Sequence, residues 1–194
     1  MLRKVRIGVL AGVATVALVA APTAIATTSP APAPPAPDRV AQTTLYYDDS
    51  QAQGWEEAVT AGVESWNSTV ENVKLAPAEP GSRAEITIVA TSGWPQATLG
   101  PVRPGGSARV ELGQQAVDDG HDKIRIAAHE LGHNLGLPDT KPGPCSQLMS
   151  GSSAGTSCKN ALPDEREQAS VEANYGNGAA GRTPSDGRTI VDAP

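Results

Sequence analysis

Histidine, cysteine and positive charge are all scarce in this chain: its 194 residues include three histidines, two cysteines and 15 lysines and arginines against 21 acidic residues. So little positive charge argues against a nucleic-acid partner, whose phosphates are held by lysine and arginine clusters. Two cysteines allow one disulfide at most, and Cys145 and Cys158 lack the close C-x-x-C spacing of a thiolate zinc site. Beyond residue 26 no stretch approaches the ~20 apolar residues that a spanning helix needs, so no membrane partner is expected. No internal repeat is visible.

The amino terminus has a cationic start, "MLRKVR", an apolar run, "IGVLAGVATVALVAAPTA", and the small-residue site "AIA" ending at Ala26. This pattern predicts a secretory signal peptide over residues 1–26, hence a secreted, extracellular protein. Without Arg3, Lys4 and Arg6 of that leader, 12 basic residues face 21 acidic ones, a formal charge of −9. Residues 27–40, "TTSPAPAPPAPDRV", suit a Pro/Ala-rich linker or short pro-segment that can extend as polyproline but packs no core. Residues 177–194, rich in Gly, Arg and Asp with no apolar period, are expected to be a disordered tail. Between them, residues 41–176 suffice for one compact domain, expected to be monomeric. Export brings an oxidising compartment, where Cys145 and Cys158 are expected to pair and to stabilise by ~3 kcal/mol.

Within the domain "TTLYYD", "NVKLAP", "EITIVA" and "SARVELG" carry strand patterns separated by Pro and Gly turns. Residues 55–70 repeat Trp55, Val59, Val63 and Trp66 on one helical face. A second helix starts near Asp122, and a third opens at Pro163 and stops at Gly176. The order is strand, helix, three strands, helix, long loop, helix: an α+β domain with a twisted mixed sheet of four to five strands and three helices.

Two of the three histidines lie in "IRIAAHELGHNLGLPD", residues 124–139. A step of four residues turns a helix by ~400°, so His129 and His133 point the same way from adjacent turns and can grip one ion. Glu130 is displaced around the helix, where it can approach a water without becoming a ligand. This is the H-E-x-x-H arrangement of zinc peptidases, in which the carboxylate is the general base. The bland alternative is an amphipathic helix whose histidines are merely hydrogen-bonded. Gly136 can take the left-handed conformation that ends a helix and Pro138 forbids its continuation, so the chain turns and brings Asp139 back toward the imidazoles.

"HELGHNLGLPD" resembles the extended zinc signature of the metzincin peptidases, with aspartate in place of the third histidine, the form characteristic of the snapalysin family. The similarity extends through "YYD", "ESWNSTVENVKL", "GPCSQLMSG" and "SCKN" to the last helix, and so covers nearly the whole domain. It implies a minimal metzincin fold and a secreted neutral endopeptidase acting on proteins such as casein, with one catalytic Zn²⁺ on His129, His133 and Asp139. Glu130 would be the base and Met149 the methionine turn. It also implies a preference for an aromatic residue after the scissile bond, and a Ca²⁺ ion near Asp122 and Ile124, for which a helix cap by Asp122 is the alternative. "SARVEL" is the expected sheet edge for substrate. Lys141 stands where the family usually carries an aromatic residue; its ammonium could face an oxyanion, but a solvated lysine is the preferred expectation.

Two competitors stand beside this reading. In one, Glu165 or Glu167 is the third ligand, against which Gly136 and Met149 argue. In the other, the chain is a non-catalytic secreted zinc-binding module, which the presence of Glu130 disfavours because a structural site needs no base.

Overall fold

The β-branched and aromatic run that opens the domain forms β1, Thr43–Gln51, and the apolar period that follows forms α1, Glu56–Asn67, in a computed structural model that describes residues 41–176 and 187–193. The leader and linker expected over residues 1–40 lie outside these residues. β2, Val73–Pro77, returns parallel to β1 with Leu75 beside Leu45, as a strand–helix–strand crossover requires. β3, Ile86–Thr91, joins the other side of β1. After β4, Gln96–Thr98, the chain enters β5, Ala108–Gly113, which lies parallel to β3 with Val110 beside Ile88. β4 is antiparallel to β5, and β6, Thr189–Val191, is antiparallel to β4. The sheet order is β2-β1-β3-β5-β4-β6. The remaining helices are α2, Gln114–Asp118, α3, Lys123–Asn134, and α4, Glu165–Tyr175, with a 3₁₀ segment over Leu148–Ala154.

The α+β class and mixed sheet match the sequence expectation, and four details differ. The sheet has six strands, because β4 and β6 hold only three residues each, too few for an alternating pattern to show. The short α2 was likewise not expected. "SARVEL" is not an edge: β5 is paired on both sides, by β3 and by β4. Of the tail expected to be disordered, residues 177–186 and 194 lie outside the described residues, while 187–193 contribute β6, whose order comes from main-chain pairing to β4 and not from its own composition.

α1 and α3 pack closely enough that a Cβ on Gly62 would stand 2.8 Å from the backbone nitrogen of Ala128. Trp66, fully buried, donates its indole N–H to the Ala128 carbonyl at 2.8 Å, which fixes the rotation of α3 against α1. Leu45, Ile86, Ile88, Leu112, Leu131 and Leu135 fill the space between helices and sheet, each such side chain worth about 1.5–3 kcal/mol of burial. No helix among the described residues is long and apolar enough to cross a membrane.

Candidate metal centre and active site

α3, which carries His129, Glu130 and His133, is capped at both ends by groups whose identity the sequence sets. Asp122 is its N-cap, with Oδ1 accepting the N–H groups of Ile124 at 3.1 Å and Arg125 at 3.0 Å. The calcium expected at Asp122 and Ile124 finds no group of three ligating side chains there among the described residues; the carboxylate is taken up by the cap and by Lys159, 3.7 Å away. At the other end Gly136, at φ +99°, donates its N–H to His133, and Leu137 donates to Gly132. These two bonds close a Schellman motif, which needs a residue at ease in the left-handed region. A Cβ on Gly136 would also stand 2.6 Å from Nδ2 of Asn174.

The turn returns Asp139 to the helix. Its Oδ1 lies 3.2 Å from Nε2 of His129 and 3.6 Å from Nε2 of His133. The imidazole planes stand 86° apart with ring centres 4.6 Å apart. Each ring faces a backbone carbonyl with its other nitrogen: Nδ1 of His129 meets Leu148 O at 3.0 Å, and Nδ1 of His133 meets Leu137 O at 2.7 Å. A carbonyl can only accept, so both Nδ1 atoms carry hydrogen and both Nε2 atoms of the neutral rings are left as acceptors. His129 Nε2, His133 Nε2, Asp139 Oδ1 and both oxygens of Glu130 are buried with no hydrogen-bond partner among the described residues. Acceptors converging this closely require a positive charge between them, either a proton or a metal ion, and buried polar groups without partners are otherwise costly.

The electrostatics agree. Burial opposes charge on His129, but contact with Asp139 and the charges of Asp192 and Glu130 raise its pKa to about 9, so a proton fills the gap when no metal does. Burial and the neighbouring His129 lower His133 to about 4. Burial pushes the Glu130 carboxyl well above the usual carboxylate range. Asp139, though burial raises it, is held low by His129, His133 and Lys141.

Met149 is fully buried against the helix: a Cβ on Gly132 would stand 2.6 Å from its sulfur. The Cys145–Cys158 disulfide is formed and brackets this loop. Glu165 is exposed on α4, and the Glu167 carboxylate is engaged in accepting the N–H groups of Leu148 and Met149. Three residues have roles that the sequence did not signal. Glu167 supports the loop that offers Leu148 O to His129. Arg125, buried in α3, donates to Gln147 O, Leu148 O and Asn160 O of the same loop. Asp192, outside the predicted domain, brings Oδ2 to 3.9 Å from His129 Nε2 and lies close enough to His129 and Glu130 for the three to be able to share an ion. Lys141 is not a solvated lysine: it pairs with Asp192 and lies 4.0 Å from Asp139.

The Streptomyces extracellular neutral proteinase (M7) family matches residues 42–178 of the chain. An extracellular small neutral protease of Streptomyces coelicolor is 38% identical over 137 residues, covering 71% of this chain and 61% of that protein. One from Streptomyces caespitosus is 35% identical over 135 residues, 70% of this chain and 98% of that protein. The chain thus spans about three fifths of the first relative and nearly all of the second. A zinc-protease hatching enzyme from the medaka fish aligns with 50% of the chain at 18% identity and TM-score 0.36, too partial a likeness to carry an argument.

Proposed function

The chain belongs to the Streptomyces extracellular neutral proteinase (M7) family, and from that membership we propose that it is a secreted zinc-dependent endopeptidase, monomeric and acting on protein or peptide substrates. The observation that carries the reading is the convergence of three buried, unpartnered acceptors, His129 Nε2, His133 Nε2 and Asp139 Oδ1, beside an unpartnered Glu130. Two imidazoles and a carboxylate form a donor set suited to zinc that leaves one coordination position for chemistry. Zinc, when bound, supplies Lewis acidity that acidifies water and stabilises developing oxyanion charge.

The chain's own residues do the rest. The carbonyls of Leu148 and Leu137 hold the two rings in the tautomer that presents Nε2. Glu130, whose carboxyl binds a proton more readily than an exposed one because it is buried, takes a proton from the attacking water and returns it to the leaving nitrogen. The preference for an aromatic residue just after the scissile bond rests on the family resemblance alone, because the cavity beside His129, lined by Trp94, Ala116 and Ile126 together with Arg125 and Asp192, has room for about one water. A non-catalytic zinc module has no use for a buried carboxylate kept free of partners.

The test is metal analysis with casein digestion. Glu130→Gln should keep one zinc per chain and lose at least about a hundredfold in turnover, the usual contribution of a positioned base. Full activity in that variant would exclude the mechanism.

A further inference from the structure

β4 is a sheet edge only until the last described residues reach it. Thr189, Ile190 and Val191 pair antiparallel with Thr98, Ala97 and Gln96, and the pairing continues at both ends. Leu99 donates its N–H to Arg188 O at 2.8 Å, and Asp192 donates its own to Pro95 O at 2.9 Å. This is how an extended peptide binds a protein, by adding a strand to a sheet. Immediately after β6 the chain delivers Asp192 into the metal centre, 5% exposed and 3.9 Å from His129 Nε2.

The Asp192–Ala193 segment is held from several sides. Lys141 pairs with Asp192 Oδ1 and donates to Ala193 O at 2.9 Å, while Ser152 Oγ donates to the same carbonyl at 3.4 Å. Gly151, at φ +52°, makes the room: a Cβ there would collide with Asp192 Oδ1. β6 itself adds little to the core, since Thr189 and Val191 are exposed and Ile190 only partly covered. Few apolar contacts hold the segment down, so it can leave without unfolding the domain.

The segment lies outside the family match, which ends at residue 178. Meanwhile His129, Glu130 and His133 are each no more than 1% exposed, a degree of burial that bars a substrate.

We propose that residues 189–193 are a built-in inhibitor: β6 occupies the strand position a peptide substrate would take on β4, and Asp192 holds its carboxylate against His129 and Glu130, the two site residues with which it can share an ion. The proposal rests on the zinc-protease reading. The active form is the one in which this segment has left β4.

The test uses the full chain with zinc content measured first. Asp192→Asn removes the charge facing the imidazole, and Ile190→Pro breaks the strand without touching the site. Both should hydrolyse casein about tenfold faster than the parent chain, since a tethered strand competes at about millimolar effective concentration. A synthetic peptide of residues 187–194, but not a scrambled one, should slow the Ile190→Pro variant. Independently of turnover, hydrogen exchange should find the Asp192 and Leu99 amides protected in the zinc-loaded parent and faster once a peptide hydroxamate saturates the metal. Equal casein rates in zinc-loaded parent and both variants, or exchange that the hydroxamate leaves unchanged, would overturn the inhibitor. Absence of zinc uptake in every form would instead remove the protease reading, and the inhibitor with it.

Discussion

Glu167 accepts the backbone N–H of Met149 at 2.7 Å and, through its other oxygen, that of Leu148 at 3.0 Å. The same carboxylate closes the capping box of α4 by accepting the N–H of Asp164 at 2.7 Å. One buried side chain therefore ties the last helix to the loop whose carbonyl orients His129. Removing it strands three N–H groups, so Glu167→Ala should cost about 2–4 kcal/mol. The neighbouring exposed Glu165→Ala should stay within about 0.5 kcal/mol of the parent. Urea unfolding of both variants is the measurement, and equal stability would show that the loop is held otherwise.

Residues that act within one helix and its turn were legible in the sequence, and residues that act across the fold were not. "HELGHNLGLPD" encodes the geometry of its own site, because helical spacing, a left-handed glycine and a proline fix where His129, His133 and Asp139 can go. Glu167 looks like an ordinary first-turn acid on α4; its second role depends on a loop packing beside it. β4 lies between Pro95 and Gly100 and shows no period, so β5 passes for an edge. Asp192 has no local signal at all: "TIVDAP" gains structure only from β4, and Lys141 looks solvated until Asp192 arrives.

The disulfide closes the loop that carries Met149, with its cysteines 13 positions apart. Cys145→Ser should lower stability by about 3 kcal/mol on the loop-entropy estimate. Reduction of the parent protein should reproduce most of that loss. Denaturant unfolding with and without reductant checks it; no difference would mean the bond constrains nothing that unfolding releases.

Glu85 gives the fold an acid-sensitive tie. Its carboxylate accepts the N–H of Tyr46 in β1 at 2.9 Å and of Gly105 at 3.0 Å. Burial alone would raise its pKa, but these N–H groups and the charge of Arg83 hold it below the ordinary carboxylate value. A pKa lower in the folded than in the unfolded chain gives stability that is complete above the unfolded value, about 4.3, and is lost as pH falls through the folded one. Glu85→Gln should therefore be less stable than the parent at pH 7, by about 1–2 kcal/mol. That gap should shrink at about pH 3, as the parent's carboxylate is protonated. Urea midpoints at the two pH values decide it, and a gap that widens in acid would have the wrong sign.

Asp139 separates the two possible third ligands. The Schellman bonds at Gly136 and Leu137 fix where the chain leaves α3, and Leu137 spends its carbonyl on His133 Nδ1. Two residues later Asp139 lies within 3.2 and 3.6 Å of the two imidazole nitrogens. Glu167 is engaged with the backbone, and Glu165 stands exposed on α4. Asp139→Ala should leave two imidazoles facing the metal and weaken zinc retention by at least about a hundredfold, beyond the loss usual for a supporting residue. Glu165→Ala should bind zinc as the parent does. Because Glu167→Ala disturbs the loop that orients His129, its zinc affinity is informative only beside its stability. Competition with a chromogenic chelator gives the three affinities, and zinc retained by Asp139→Ala but lost from Glu165→Ala would move the third ligand to α4.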